Sequence, residues 1–146
     1  MRTLLLFSIT GVAFLLAANA VAQPVIAPDI AADHRLRDGT PYYSELARCS
    51  GVQMAYAVSR TGTDAKAAAM ISSQYDRSAF HRVVTDRKLN ANDASVLESV
   101  SALLAPLSAK ARTDWLPILA ANGGEAAFNA ETQVCIRVLH ESDFEM

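Results

Sequence analysis

The sequence contains two cysteines, Cys49 and Cys135, and their separation constrains the fold more than any other feature. If they are bonded to each other, the chain must return across 86 residues to bring them together. On the loop-entropy model, closing a loop of this length stabilises a protein by about 4 to 5 kcal/mol. Because total stabilities are roughly 5 to 15 kcal/mol, such a disulfide would supply a large share of the stability.

A leader segment at the start of the chain favours this pairing. Residues 1–22 combine Arg2, an apolar stretch from Leu4, and small residues in the A-x-A pattern that signal peptidase reads. Cleavage after Ala20 or Ala22 fits, and we prefer Ala22. The apolar stretch is shorter than the roughly 20 residues that span a bilayer. The sequence therefore predicts a signal peptide at 1–22 and a periplasmic or secreted protein, in which two cysteines are most simply a disulfide.

Other roles for the cysteines lack supporting residues in the sequence. A structural metal site needs more ligands at short spacing, such as C-x-x-C. Covalent haem attachment needs C-x-x-C-H, whereas residues 135–140, which end at His140, contain only one cysteine, Cys135. A catalytic cysteine needs a base, which His34, His81 or His140 could supply, but no local signature supports one. We therefore predict no metal, no cofactor and no catalytic residue.

Helix start and stop signals divide the remaining chain into an arm and a helical domain. Residues 23–40 contain prolines and mixed polarity, which indicate an extended N-terminal arm. The helical domain, 41–146, begins where Thr40 and Pro41 can start a helix. Pro106 is expected to end or kink the third helix. The predicted helices span about 41–60, 64–88, 93–106, 114–121 and 125–141.

These patterns predict an all-α fold. No stretch alternates strictly between apolar and polar residues over the length of a strand. We expect a compact bundle of about five helices, with the disulfide joining the first and last helices. Gly51 costs up to about 1 kcal/mol inside the first helix, and close approach of a neighbouring helix would explain it. On the second helix, the predicted inward stripe is Ala65, Ala68, Ser72, Tyr75, Ala79, Arg82 and Val83.

Charge and tyrosine content indicate the kind of partner. The formal net charge is −2, and no run of lysines and arginines suggests binding to nucleic acid. No second apolar segment suggests a membrane span after signal cleavage. The expected partner is therefore another protein. Tyrosine and arginine suit protein interfaces, and Tyr42 and Tyr43 point in different directions, so both are not expected in the core. The candidate binding surface is Tyr42, Tyr43, Arg48, Tyr56 and Tyr75.

Two further arrangements of residues keep other functions open. Met54, Met70 and His140 could place methionine and histidine ligands around a haem between helices. Glu45 and Glu131 lie near the cysteine-bearing faces, so the disulfide could bring two carboxylates together, as glycosidases require. We predict a non-enzymatic, exported, disulfide-linked protein-binding module, such as an inhibitor, chaperone or accessory subunit. The alternatives are a carrier of a small apolar ligand or haem and a cell-envelope hydrolase.

Reduction of the exported protein should lower its melting temperature by roughly 10 to 20 °C, because the unfolded chain loses its cross-link. Circular dichroism with and without a reducing agent measures this change. Mass spectrometry supplies the control, since a disulfide removes the mass of two hydrogen atoms. Two free thiols in freshly exported protein would contradict the pairing of Cys49 and Cys135.

Overall fold

The structure is a computed structural model that describes residues 26–144, and these form four α-helices and no strand. Helix α1 spans Tyr42–Ser59, α2 spans Gly62–Asp86, α3 spans Ala94–Ala120 and α4 spans Gly124–Phe144. The all-α fold class is confirmed. The predicted signal peptide at 1–22 lies outside the described residues. Within the described range, no helix combines the length and the apolar character needed to cross a membrane.

The expected count of five helices is wrong, because the predicted third and fourth helices are one helix, α3. Pro106 and Pro117 both lie inside this 27-residue helix. A proline in a helix interior costs about 3 kcal/mol through a lost hydrogen bond and a clash. Buried side chains hold α3 on both sides of Pro106, with Val100 and Leu104 before it and Ala111 after it. Burial against the rest of the molecule therefore outweighs the local cost of the proline.

Helix α1 is the centre of the fold. Its side chains are buried on most sides, and each of the other three helices packs against it. Helices α2 and α3 contact α1 extensively but scarcely touch each other, and α4 has a smaller interface with α1. The architecture is therefore a central helix with three helices arranged around it.

The predicted disulfide is confirmed. Cys49 of α1 and Cys135 of α4 are bonded, with their Cα atoms 5.6 Å apart, and both residues are fully buried. One helical turn from Cys49, the side-chain amide of Gln53 donates to the hydroxyl of Thr132 at 3.2 Å. Because α4 has the smallest interface with α1, the covalent bond holds the helix that packing holds least.

Small residues allow α2 and α3 to approach α1 closely. The hydroxyl oxygens of Ser50 and Ser72 are 3.0 Å apart, and the hydroxyl of Ser72 is also placed to donate to the backbone oxygen of Ser50 at 3.1 Å. On the other side, a Cβ atom at Gly51 would overlap the backbone oxygen of Ser108 and lie 2.7 Å from the Cβ atom of Ala111. The expected role of Gly51, close approach of a neighbouring helix, is therefore confirmed.

The substitution Gly51→Ala should destabilise the protein by roughly 1 to 3 kcal/mol, because the added methyl group overlaps the backbone of α3. The loss should appear even though alanine favours a helix by about 1 kcal/mol over glycine. Urea unfolding measures the change in the free energy of unfolding. Gly39→Ala is a comparison of a different kind, because a Cβ atom there meets no atom within 4 Å and any loss of stability comes from its positive φ of 89° rather than from overlap. A Gly51→Ala protein as stable as the wild type would contradict the close contact.

Candidate functional site

The five residues of the predicted binding surface do not form one exposed patch. Tyr42, Tyr43 and Tyr75 are buried, with no more than 4% of any of them exposed. Tyr56 is half-buried and stacks on Phe128 of α4, with 3.9 Å between the ring centroids. Three of the tyrosines therefore stabilise the interior, and the fourth joins α1 to α4.

The expectation that Tyr42 and Tyr43 are not both in the core is wrong. They do point in different directions, but each direction is covered. The guanidinium carbon of Arg82 lies 5.6 Å from the centre of the Tyr42 ring. The hydroxyl of Tyr43 donates to the backbone oxygen of Pro28 in the arm. Burial raises the pKa of Tyr43. The arm therefore completes the core rather than extending away from it.

The remaining predicted residue, Arg48, lies between the two glutamates considered for hydrolysis. Its guanidinium donates to both oxygens of Glu45, at 2.7 to 2.9 Å, and also to Glu131. Burial disfavours the charge of Arg48, but the two carboxylates outweigh this effect and raise the pKa of Arg48. Glycosidases need one carboxyl group that carries a proton to the leaving group. Two carboxylates that accept hydrogen bonds from one guanidinium favour a structural role, joining α1 to α4.

A buried ionic cluster fastens the arm to the end of α2. Asp33 accepts hydrogen bonds from Nε and Nη2 of Arg87, both at 2.8 Å, and the two side chains are only 0% and 3% exposed. Asp86 accepts from the backbone nitrogen of His34 at 2.9 Å and contacts its Nδ1 at 2.7 Å. Asp86 also pairs with Arg82 at 3.1 Å. Asp33 of the arm is therefore bound by Arg87 at the end of α2, and Asp86 of α2 binds His34 of the arm.

The residues considered as haem ligands lie on different helices. Met54 is on α1, Met70 is an exposed residue of α2 and His140 is on the outer part of α4. Between residues 26 and 144 no group of three or more histidine, cysteine, aspartate or glutamate side chains could hold a metal ion.

A groove of about 710 Å³ lies between α2 and α3. It exists because both helices pack on α1 but scarcely touch each other. Met54 of α1 forms its base, and Phe80 of α2 and Leu104 of α3 contribute apolar walls. Arg77 and Arg112 stand on the two sides. The other lining residues are Asp76, His81, Ser101, Ala105, Ser108 and Ala109.

Exposed apolar residues extend this groove beyond its deepest part. Val58, Met70 and Leu116 expose 57%, 68% and 38% of their surface. Each lies one or two helical turns from a residue that lines the groove, so helical periodicity places it on the same side of its helix. The pairs are Met54 with Val58, Arg77 with Met70, and Arg112 with Leu116. The stretch of α3 from Ser101 to Leu116, which runs along the groove and its continuation, is about 22 Å long at 1.5 Å of rise per residue.

Sequence reasoning missed the groove, since none of the residues of the predicted binding surface lines it. One signal was available. Ser50 and Gly51 are adjacent small residues in a long helix, and two close contacts at adjacent positions imply two neighbours on different sides of α1. On a helical projection, Met54 points in a direction between those of Ser50 and Gly51, so it lies between the two neighbouring helices.

No known protein family, curated protein or solved structure matches this chain. Its function must therefore be inferred from the geometry of its own residues.

The substitution Asp33→Asn should destabilise the protein by about 3 kcal/mol at neutral pH, because Arg87 would remain buried without a charged partner. Burial raises the pKa of Asp33, but hydrogen bonds from Arg87 and from the backbone of Ile30 outweigh it, so the pKa is lowered. A lowered pKa gives stability that is present above the unfolded-state pKa of about 3.9 and is lost as the pH falls below it. The wild type should therefore lose more stability below about pH 4 than the variant does.

Urea unfolding at neutral pH and at several acidic pH values measures both effects. Asp114→Asn is the control, because its pair with Lys110 is exposed and contributes little. If Asp33→Asn and Asp114→Asn were equally stable, the Asp33–Arg87 pair would not fasten the arm.

Proposed function

We propose that this protein is an exported, non-enzymatic binding module that receives a helix of a partner protein in the groove between α2 and α3. The observation that carries the proposal is the apolar surface of the groove and its continuation in Val58, Met70 and Leu116. Exposed apolar surface in a continuous patch is typical of interaction sites. An amphipathic helix that lies in such a groove buries its apolar stripe there.

The groove is suited to a helix in shape and in composition. Its length of about 22 Å matches roughly 15 residues of helix. Met54 and Met70 contribute flexible, polarisable side chains, which adapt to different apolar surfaces and are common at binding sites. Ala105 and Ala109 line the α3 wall, so a partner helix can approach the backbone there. These features support a protein partner.

The walls of the groove are held in place before any partner binds. Contacts of Ser50 and Gly51 fix α2 and α3 against α1. A preformed site avoids the entropic cost of ordering its walls during binding. The rigid centre of the fold therefore supports a role as a scaffold for binding.

Export is supported by two features of different origin. The leader at 1–22 has the pattern of a signal peptide. The disulfide between Cys49 and Cys135 is a bond that persists in oxidising compartments such as the periplasm. We propose a periplasmic or secreted location on these grounds.

A carrier of a small apolar ligand is the second candidate function. A volume of about 710 Å³ lies within the usual range of small-molecule pockets. Such a ligand would leave Val58, Met70 and Leu116 exposed, however, whereas a helix would cover them. The same experiment separates the two functions.

The substitution Ala105→Trp should abolish partner binding, because the indole fills the groove from α3 without replacing a core side chain. Ala130→Trp, at an exposed position of α4 outside the groove, is the matched control. Tagged proteins would be cross-linked in the cell envelope, purified and examined by native mass spectrometry. We expect the same partner on the wild type and on Ala130→Trp, and at least about a tenfold loss on Ala105→Trp, which corresponds to 1.4 kcal/mol.

Circular dichroism establishes that both variants are folded. Equal recovery of the partner on Ala105→Trp would show that it binds elsewhere and would overturn the proposal. An added mass of a few hundred daltons, lost in Ala105→Trp, would establish the carrier instead.

A further inference from the structure

Two arginines line the groove and pair with none of the carboxylates among residues 26–144. Arg77 of α2 uses Nε to donate to the backbone oxygen of Ser73 at 3.3 Å. In the part of the chain that the structure describes, neither Arg77 nor Arg112 of α3 forms an ion pair. Arg77 lines the groove from α2 and Arg112 lines it from α3, so each of the two helices contributes one arginine to the lining.

The arginines that hold the fold are different. Each of them contacts a carboxylate in the structure, and they are Arg35, Arg48, Arg60, Arg82 and Arg87. Arg37 and Arg137 also have no ion pair within the described residues, but they do not line the groove. They are therefore a natural control for effects of overall charge.

The groove is positive on a chain whose formal net charge is −2. Its lining residues include two arginines, Arg77 and Arg112, and one acidic residue, Asp76. Asp76 lies beside Arg77 on the α2 side, but the two side chains do not form an ion pair. A ligand in the groove therefore meets an apolar base between two positive edges.

We infer that the groove selects an acidic amphipathic helix, an inference that rests on the proposed function. The apolar stripe of this helix covers Met54, Phe80 and Leu104. Glutamate or aspartate residues on the two flanks of the stripe pair with Arg77 and Arg112. Arginine donates two parallel hydrogen bonds to a carboxylate, so these pairs also fix the position of the helix. Complementary charge speeds association and excludes helices with basic flanks.

A charge-reversal experiment tests this inference. A displayed library of 15-residue helical peptides would vary the apolar stripe and carry glutamate, glutamine or lysine at each flanking position. The mature chain would select from it, and so would the double variant Arg77→Glu/Arg112→Glu. We expect the wild type to enrich glutamate at the flanks and the double variant to enrich lysine. Each selected peptide should bind the opposite protein at least about tenfold more weakly, as measured by fluorescence anisotropy.

The variant Arg37→Glu/Arg137→Glu is the matched control, because it makes the same change of charge away from the groove. It should still prefer peptides with glutamate flanks, whereas Ala105→Trp should bind none of them. Circular dichroism checks that all variants are folded.

The outcomes separate this inference from the proposed function. Peptides that bind only when Ala105 is intact, but show no flank preference, would overturn the charge selection and leave the helix groove in place. A preference that also reverses in Arg37→Glu/Arg137→Glu would overturn it as well, since overall charge would then be the cause. No enrichment at all would overturn the acidic helix, while cross-linking with Ala105→Trp would still decide whether a partner occupies the groove.

Discussion

The close approach of two helices to adjacent residues of α1 determines the shape of the rest of the molecule. Ser50 contacts α2 and Gly51 contacts α3, and neighbouring residues of a helix point about 100° apart. With each outer helix about 8 to 10 Å from α1, this geometry would separate the axes of α2 and α3 by roughly 12 to 15 Å, which agrees with the small contact between them. The groove is thus a geometric result of how the core is built. Its base is Met54, the next residue of α1 in the sector between the two contacts.

The elements that packing holds least are fastened by other bonds. Helix α4 has the smallest interface with α1, and the disulfide to Cys49 holds it there. Residues 26–40 of the arm form no helix, and the pair of Asp33 and Arg87 holds them over α1. Arg82 connects these parts, because it pairs with Asp86 beside the arm and donates to the backbone oxygen of Ser142 on α4 at 2.9 Å.

The helices and the disulfide could be predicted because their causes are local or chemical. On α2 the predicted inward stripe is confirmed at six positions, whereas Ala65 is half-buried. Predictions failed where the structure at one position depends on residues far away in the sequence. Packing on both sides of Pro106 keeps α3 continuous, which no local signal shows. Tyr43 is buried because the arm folds back over it, and the groove exists because α2 and α3 have only a small contact with each other. Helical periodicity shows which side of a helix is apolar, but it does not show which helices pack against each other.

The position of the disulfide also affects how the molecule responds to proteases. Cys49 and Cys135 enclose α2, α3 and both turns that flank α3 within one covalent loop. The turn at residues 90–93 is exposed and rich in asparagine and aspartate, which are features of cleavage sites. A single cut there, or at any other bond between the two cysteines, produces two fragments that remain joined. A molecule cut once by a protease between the two cysteines therefore keeps both walls of its groove in one covalent unit.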